Sequence, residues 1–126
     1  MHNAKSREHA HTCRKARAIF KLRYTNKQNQ LSGTICLISI APAFEHMNLE
    51  KNNFEGSLDF TRLPKSMRYI FLYDNHFSGT IDFGNLPQSM RVLDIRKNAI
   101  SGTVLVPHGI DIRFDGNDEL TVERIE

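Results

Sequence analysis

The stretch MRYIFLYDNHFSGTIDFGNLPQSM, Met67 to Met90, decides the fold, because a shift of 23 residues lays the chain over itself on either side of it. Asn52, Asn75 and Asn98 stand 23 apart, and so do Phe54, Phe77 and Ile100, then Gly56, Gly79 and Gly102, then Leu58, Ile81 and Val104. Leu63-Pro64 returns as Leu86-Pro87, and Ser66-Met67 as Ser89-Met90. A unit of this length is one supersecondary element that cannot bury its apolar face alone, so successive copies must stack on a shared core. The chain reads as a solenoid.

Within each unit the alternation of Met47-x-Leu49, Ile70-x-Leu72 and Leu93-x-Ile95 predicts a short strand with two residues inward and the one between them outward. Repetition every 23 residues predicts parallel strands stacked about 4.8 Å apart. The asparagine that follows each strand turns the chain inward, and its amide can donate to and accept from the backbone of neighbouring turns, which predicts an asparagine ladder. The glycines permit a tight turn, and the alternation Thr80-Ile81-Asp82-Phe83 predicts a second short strand on the other side. Phe54, Phe77, Phe60 and Phe83 should pile into an aromatic spine.

The segments Phe44-x-x-Met47-x-Leu49-x-x-Asn52-x-Phe54, Met67-x-x-Ile70-x-Leu72-x-x-Asn75-x-Phe77 and Met90-x-x-Leu93-x-Ile95-x-x-Asn98-x-Ile100 resemble the leucine-rich repeat, with its consensus LxxLxLxxNxL. Phe77-Ser78-Gly79-Thr80-Ile81 looks like the LxGxI portion of receptor-ectodomain repeats, and Leu-Pro-x-Ser-Met like the LPxSL joint of some microbial and protist repeats. Asp82 stands where the receptor type has proline, so a receptor role does not carry over. The resemblance implies an α/β-type leucine-rich repeat solenoid that is mostly β. Its short parallel strands would form a concave face, with turns and second strands on the convex side.

Outward from this centre the pattern decays. In residues 24–43 Leu31, Gly33, Ile35, Leu37 and Ile40 fall 23 before Phe54, Gly56, Leu58, Phe60 and Leu63, but the strand half is out of rhythm, as expected of a terminal repeat. After Val106-Pro107-His108-Gly109 the unit is four residues short, so that Ile112, Phe114 and Asn117 follow Leu93, Ile95 and Asn98 by 19. Leu120 and Val122 close the last unit and residues 123–126 read as a fraying end. The expected organisation is a basic arm or cap helix over residues 1–23, with Ala10, Cys13, Ala16, Ile19 and Phe20 at near-helical spacing, and a solenoid of about four to five units over residues 24–126.

The net charge of +3 is unevenly spread. Residues 1–30 hold eight Lys or Arg against Glu8 alone, a net of +7, which leaves nine bases against 13 acids and a net of −4 for the remainder. Docking to nucleic acid or an anionic membrane is therefore an alternative only for the arm. Cys13 and Cys36 are too few for a disulfide scaffold or a zinc site of usual spacing. The first 30 residues lack an apolar secretory core, no run approaches a spanning helix and no Asn-x-Ser/Thr sequon occurs, which leans the expectation toward the cytoplasm. The alternative that weakens this inference is a fragment of a longer receptor-like or surface array.

The outward positions of the strands are where specificity can reside, since they do not repeat. Asn48, Phe71, Asp94 and Arg113 form one column, Glu50, Tyr73, Arg96 and Asp115 another, and Lys51, Asp74 and Lys97 a third. Tyr69, Phe71 and Tyr73 beside Arg68, Arg91 and Arg96 have the composition of a protein-binding hot spot. The candidate partner-binding set is Arg68, Tyr69, Phe71, Tyr73, Asp74, Arg91, Asp94 and Arg96, on a monomer that recognises a protein partner. The competing reading for the charges is sheet stabilisation by cross-strand pairs, Asp94 with Arg113, Arg96 with Asp115 and Asp74 with Lys51 and Lys97. For Phe71, no stabilising reason to face water is evident. His46, His76 and His108 occupy unequal places in the unit and nothing pairs them with a nucleophile, so no enzyme activity is expected. No glycine-rich phosphate loop occurs and no cofactor is expected; His9-Ala10-His11-Thr12-Cys13 on an unanchored arm reads as coincidence rather than a metal site.

Overall fold

The computed structural model describes residues 32–35, 37 and 43–124. The basic arm, Cys13, Cys36, Leu31, Ile40 and residues 125–126 lie outside the described residues, so the expected cap helix and the histidines near Cys13 do too. Every regular element among the described residues is a strand: β1 (Ser32–Gly33), β2 (His46–Asn48), β3 (Asn53–Gly56), β4 (Tyr69–Phe71), β5 (His76–Gly79), β6 (Val92–Asp94), β7 (Ala99–Val106), β8 (Asp111–Arg113) and β9 (Glu119–Arg124).

They alternate between two parallel sheets, β2-β4-β6-β8 on one face and β1-β3-β5-β7-β9 on the other. On the four-stranded face Met47, Ile70 and Leu93 are successive Cα partners, 23 residues apart, and Leu93 pairs with Ile112, 19 apart. The shortened last unit thus re-enters the ladder in register. Between the sheets lies one apolar core that includes Met47, Ile70, Leu93 and Ile112 from the four-stranded sheet, Phe54 and Phe77 from the five-stranded sheet, and Phe60 and Phe83 from the connections between strands. The expected aromatic spine is two separate stacks, Phe54 on Phe77 with centroids 6.3 Å apart and Phe60 against Phe83 at 6.0 Å.

The asparagines hold one coil to the next. Asn75 Oδ1 accepts from Phe54 N–H at 3.1 Å, Asn98 Oδ1 from Phe77 N–H at 3.0 Å and Asn117 Oδ1 from Ile100 N–H at 3.0 Å. Each amide also donates forward and back, so that Leu49 O accepts from both Asn52 and Asn75, Leu72 O from Asn75 and Asn98, and Ile95 O from Asn98 and Asn117. A serine ladder runs beside it, with Ser66 Oγ donating to Phe44 O and Ser89 Oγ to Met67 O. Met67 N–H to Pro64 O and Met90 N–H to Pro87 O close the matching turns, which is why Leu-Pro-x-Ser-Met recurs.

Two expectations are corrected. The second strand of the central unit is His76–Gly79, not Thr80–Phe83. The phenylalanine-serine-glycine segment lies beside its counterpart in the next coil and pairs with it, whereas Thr80–Phe83 turns away; only in β7 does the strand run on through the equivalent Thr103–Val106, because β9 follows it there. The column Lys51, Asp74 and Lys97 is not a row of strand positions but a row of left-handed turn residues, with φ of 60°, 61° and 53°. Their N–H groups donate to Tyr73 O, Arg96 O and Asp115 O of the next coil, which holds a conformation that costs an L-residue roughly 1–2 kcal/mol. The fourth unit puts Gly116 there, at φ 82°, where a Cβ would come within 3.1 Å of Lys97 N.

Removing one asparagine orphans a donor rather than an acceptor, since each carbonyl keeps its other amide. Asn75→Ala leaves the Phe54 N–H buried and unpaired and is expected to lower stability by about 2–3 kcal/mol in urea unfolding. A loss under about 1 kcal/mol would show that the ladder is not what couples the coils. Gly116→Ala, pressed against Lys97, is expected to lose about 1–3 kcal/mol in the same measurement, and an unchanged midpoint would contradict it.

Candidate functional site

In each coil the first and third apolar letters of the strand point into the core and the letter between them points out. Ile70 and Leu72 are fully buried while Phe71 between them is half-buried, and the same holds for Met47, Asn48 and Leu49. The asparagine three residues on from the last inward position closes the turn by reaching the coil before it. The coil has the form of a leucine-rich repeat. What decides this is the chain's own repeat, strand register and asparagine ladder.

No family model matches the chain, and no curated protein does. Among solved structures it is similar to the leucine-rich repeat ectodomain of the receptor kinase SOBIR1 from Arabidopsis thaliana, at 18% identity, over 80% of this chain and 72% of that one, with a TM-score of 0.47.

The outward side chains of the repeat face stand in columns set by the register. One is His46, Tyr69, Val92 and Asp111, and the next is Asn48, Phe71, Asp94 and Arg113. Two of the predicted residues, Tyr69 and Phe71, gather with one outside the candidate set, His46. His46 stacks on Tyr69 with ring centroids 4.6 Å apart, Tyr69 lies nearly parallel to Phe71 at 6.4 Å, and His46 reaches Phe71 at 6.4 Å. Phe71 therefore has a packing reason for its place after all, though it is only half-buried. The signal for His46 was present, since it falls 23 before Tyr69, but an aromatic role is invisible until the neighbouring strand is placed.

Tyr73 is tied to the other end of the face. The Arg96 guanidinium carbon lies 4.9 Å from the centre of its ring and Lys97 Nζ 5.5 Å. Arg96 is in turn gripped by Asp94, whose Oδ1 accepts from Arg96 Nε at 2.9 Å and from Arg96 N–H at 3.1 Å, and whose Oδ2 accepts from Nη2 at 2.7 Å. The side-chain hydrogen bonds to Asp94 are the main reason that Arg96 has its pKa raised above the ordinary guanidinium value, with burial acting the other way.

The reading of Asp94 as an exposed strand position is corrected: it is only 1% exposed. The three expected cross-strand pairs are corrected with it. Asp94 pairs with Arg96 and Arg113 with Asp111, each two residues along its own strand, and Asp74 makes no ion pair among the described residues. The cause is a turn at the end of the strand. An acid or amide at this position accepts the N–H two residues on, as Asn48 does from Glu50, and this draws Asp94 along its own chain before a neighbour can compete. Of the remaining predicted residues, Arg68, Asp74 and Arg91 are exposed at the margin of the aromatic group.

A concavity of about 550 Å³ opens on the opposite face between Phe83 and Leu105, bordered by Thr80, Asp82, Thr103 and Pro107. Its one carboxylate, Asp82, already accepts the Gly84 N–H at 2.7 Å. Among the described residues no three His, Cys, Asp or Glu side chains gather as a metal site, and no helix is long and apolar enough to cross a membrane.

Arg96 stays partly exposed when Asp94 is removed and can rehydrate, so Asp94→Ala is expected to cost about 1–2 kcal/mol, below the 3–5 kcal/mol of breaking a fully buried pair. In the wild type the Arg96 Nε–H should give a protected NMR resonance that exchanges rapidly in Asp94→Ala. Equal protection in both proteins would mean that Asp94 does not hold the guanidinium.

Proposed function

We propose that this chain is a non-catalytic protein-binding module that recognises a protein partner through its four-stranded face, centred on Phe71, Tyr73 and Arg96. The observation that supports it is the concentration of half-buried aromatic surface on β4 and its exit, Tyr69, Phe71 and Tyr73, within a face whose other outward positions are mostly polar or charged. Tyr and Arg in a preorganised cluster are what interface hot spots are made of, because large contact area is gained with few torsions left to freeze. Arg68, Tyr69, Asp74, Arg91 and Asp94 complete the candidate site, Asp94 by holding Arg96 rather than by touching the partner. The unit acts as a monomer in this reading, and residues 1–23 form a separate arm.

A second reading has its own support in the +7 charge of residues 1–30, which suits an anionic nucleic acid or membrane surface. A chain lacking residues 1–30 separates the two, since only the arm reading predicts loss of a salt-sensitive interaction. A fragment of a longer repeat array remains compatible with either, and a thermal melt without a cooperative transition would favour it.

The face itself is tested by Phe71→Ala and Tyr73→Ala in a pull-down. Each is expected to reduce partner recovery at least about tenfold while leaving the thermal unfolding cooperative. Undiminished recovery by both folded variants would sink the reading.

A further inference from the structure

We propose that the four-stranded face takes an extended peptide segment in which an acidic side chain stands beside an aromatic or large aliphatic one. The acid meets Arg91 and Arg68, and the apolar side chain rests on Tyr69 and Phe71. This deepens the partner-binding reading above and rests on it.

Arg68 and Arg91 occupy the same rung of neighbouring coils, where Arg91 N–H donates to Arg68 O at 2.8 Å. They immediately precede Tyr69 and Val92, which are Cα partners, so the two arginines are neighbours at one end of the aromatic group. Like charges on adjacent strands repel, and the coil does not require them. The same rung carries Glu45 in the coil before, whose carbonyl accepts the Arg68 N–H, and the apolar Ile110 just ahead of Asp111 in the coil after.

Every other arginine of the face has an internal use. Arg96 is held by Asp94 and Arg113 by Asp111, and Lys97 lies over Tyr73. Arg68 is offset only by Glu45 at 4.0 Å between side chains that are both nearly half exposed, a contact of little strength in water. No acid among the described residues lies within ion-pair distance of Arg91. What remains is an excess of positive charge beside an apolar strip.

The complement is a carboxylate, which two planar guanidinium groups can take by paired N–H donors. A polyanion fits less well, because Asp74, Asp111 and Asp115 are exposed on the same face and would oppose a row of phosphates. One acidic side chain next to one apolar side chain on a peptide satisfies both parts of the surface.

The test is to pan a displayed library of random peptides of about a dozen residues against the full chain and measure the strongest binder by fluorescence anisotropy. Enrichment of Asp or Glu next to an aromatic or aliphatic residue is expected. Arg91→Glu should weaken that peptide about tenfold or more, with a diminished salt dependence, and exchange of the peptide's acid for lysine should restore binding to Arg91→Glu alone. Binding that is lost in Phe71→Ala but changes less than about twofold in Arg91→Glu would overturn this inference and leave the partner-binding reading standing. A peptide indifferent to both substitutions, or no enrichment at all, would count against both.

Discussion

The asparagine ladder is the interaction on which the rest of the structure depends. Three buried amides, Asn52, Asn75 and Asn117, and the partly buried Asn98 form it; from Asn75 onward each accepts and donates across the boundary between coils, and the strand carbonyls that they meet are shared between two amides. A thin solenoid has little apolar surface per coil, so directional bonds at every boundary do what a thick core does in a globular domain. The stacked phenylalanines then fill the space that the ladder encloses, and the serine ladder fixes the return path. Because these parts repeat, they leave the outward strand positions free to vary without consequence for the coil.

The variable positions are not independent of each other, however. Asp94 spends both carboxylate oxygens on Arg96, and Arg96 lies over Tyr73, so a buried acid on one strand sets the orientation of an aromatic surface on the next. His46 likewise supports Tyr69 from the other side. The face is rigid at both ends by side-chain contacts, which lowers the entropy that a partner must overcome to bind there.

Most of the fold was legible in the sequence because a repeat reports its own contacts: a residue found 23 positions on is a neighbour one strand away. The inward pattern, the asparagine ladder and the re-entry after a 19-residue step could all be taken from spacing alone. What spacing could not show was how unlike side chains settle. Thr80–Phe83 alternates like a strand, yet alternation does not make a strand without a partner beside it. Asp94 and Arg113 are opposite charges in register, yet the N–H two residues on claimed Asp94 first. Lys51 and Lys97 gave no sign of a left-handed backbone, since lysine is a poor marker for one; Asp74 and, in the fourth unit, Gly116 were the clues.

Both faces of this solenoid are hydrogen-bonded parallel strands, and that governs its curvature. Parallel strands repeat at about 4.8 Å whichever face they line. Repeat proteins bend when one side of each unit is bulkier than the other, as when helices back a sheet. Here the two sides rise equally from coil to coil, so the stack has little reason to arc. Equal spacing on the two sides builds no cup around the proposed recognition surface, so in that proposal a partner would reach Phe71 and Tyr73 with its own protrusion or an extended strand rather than by being enclosed.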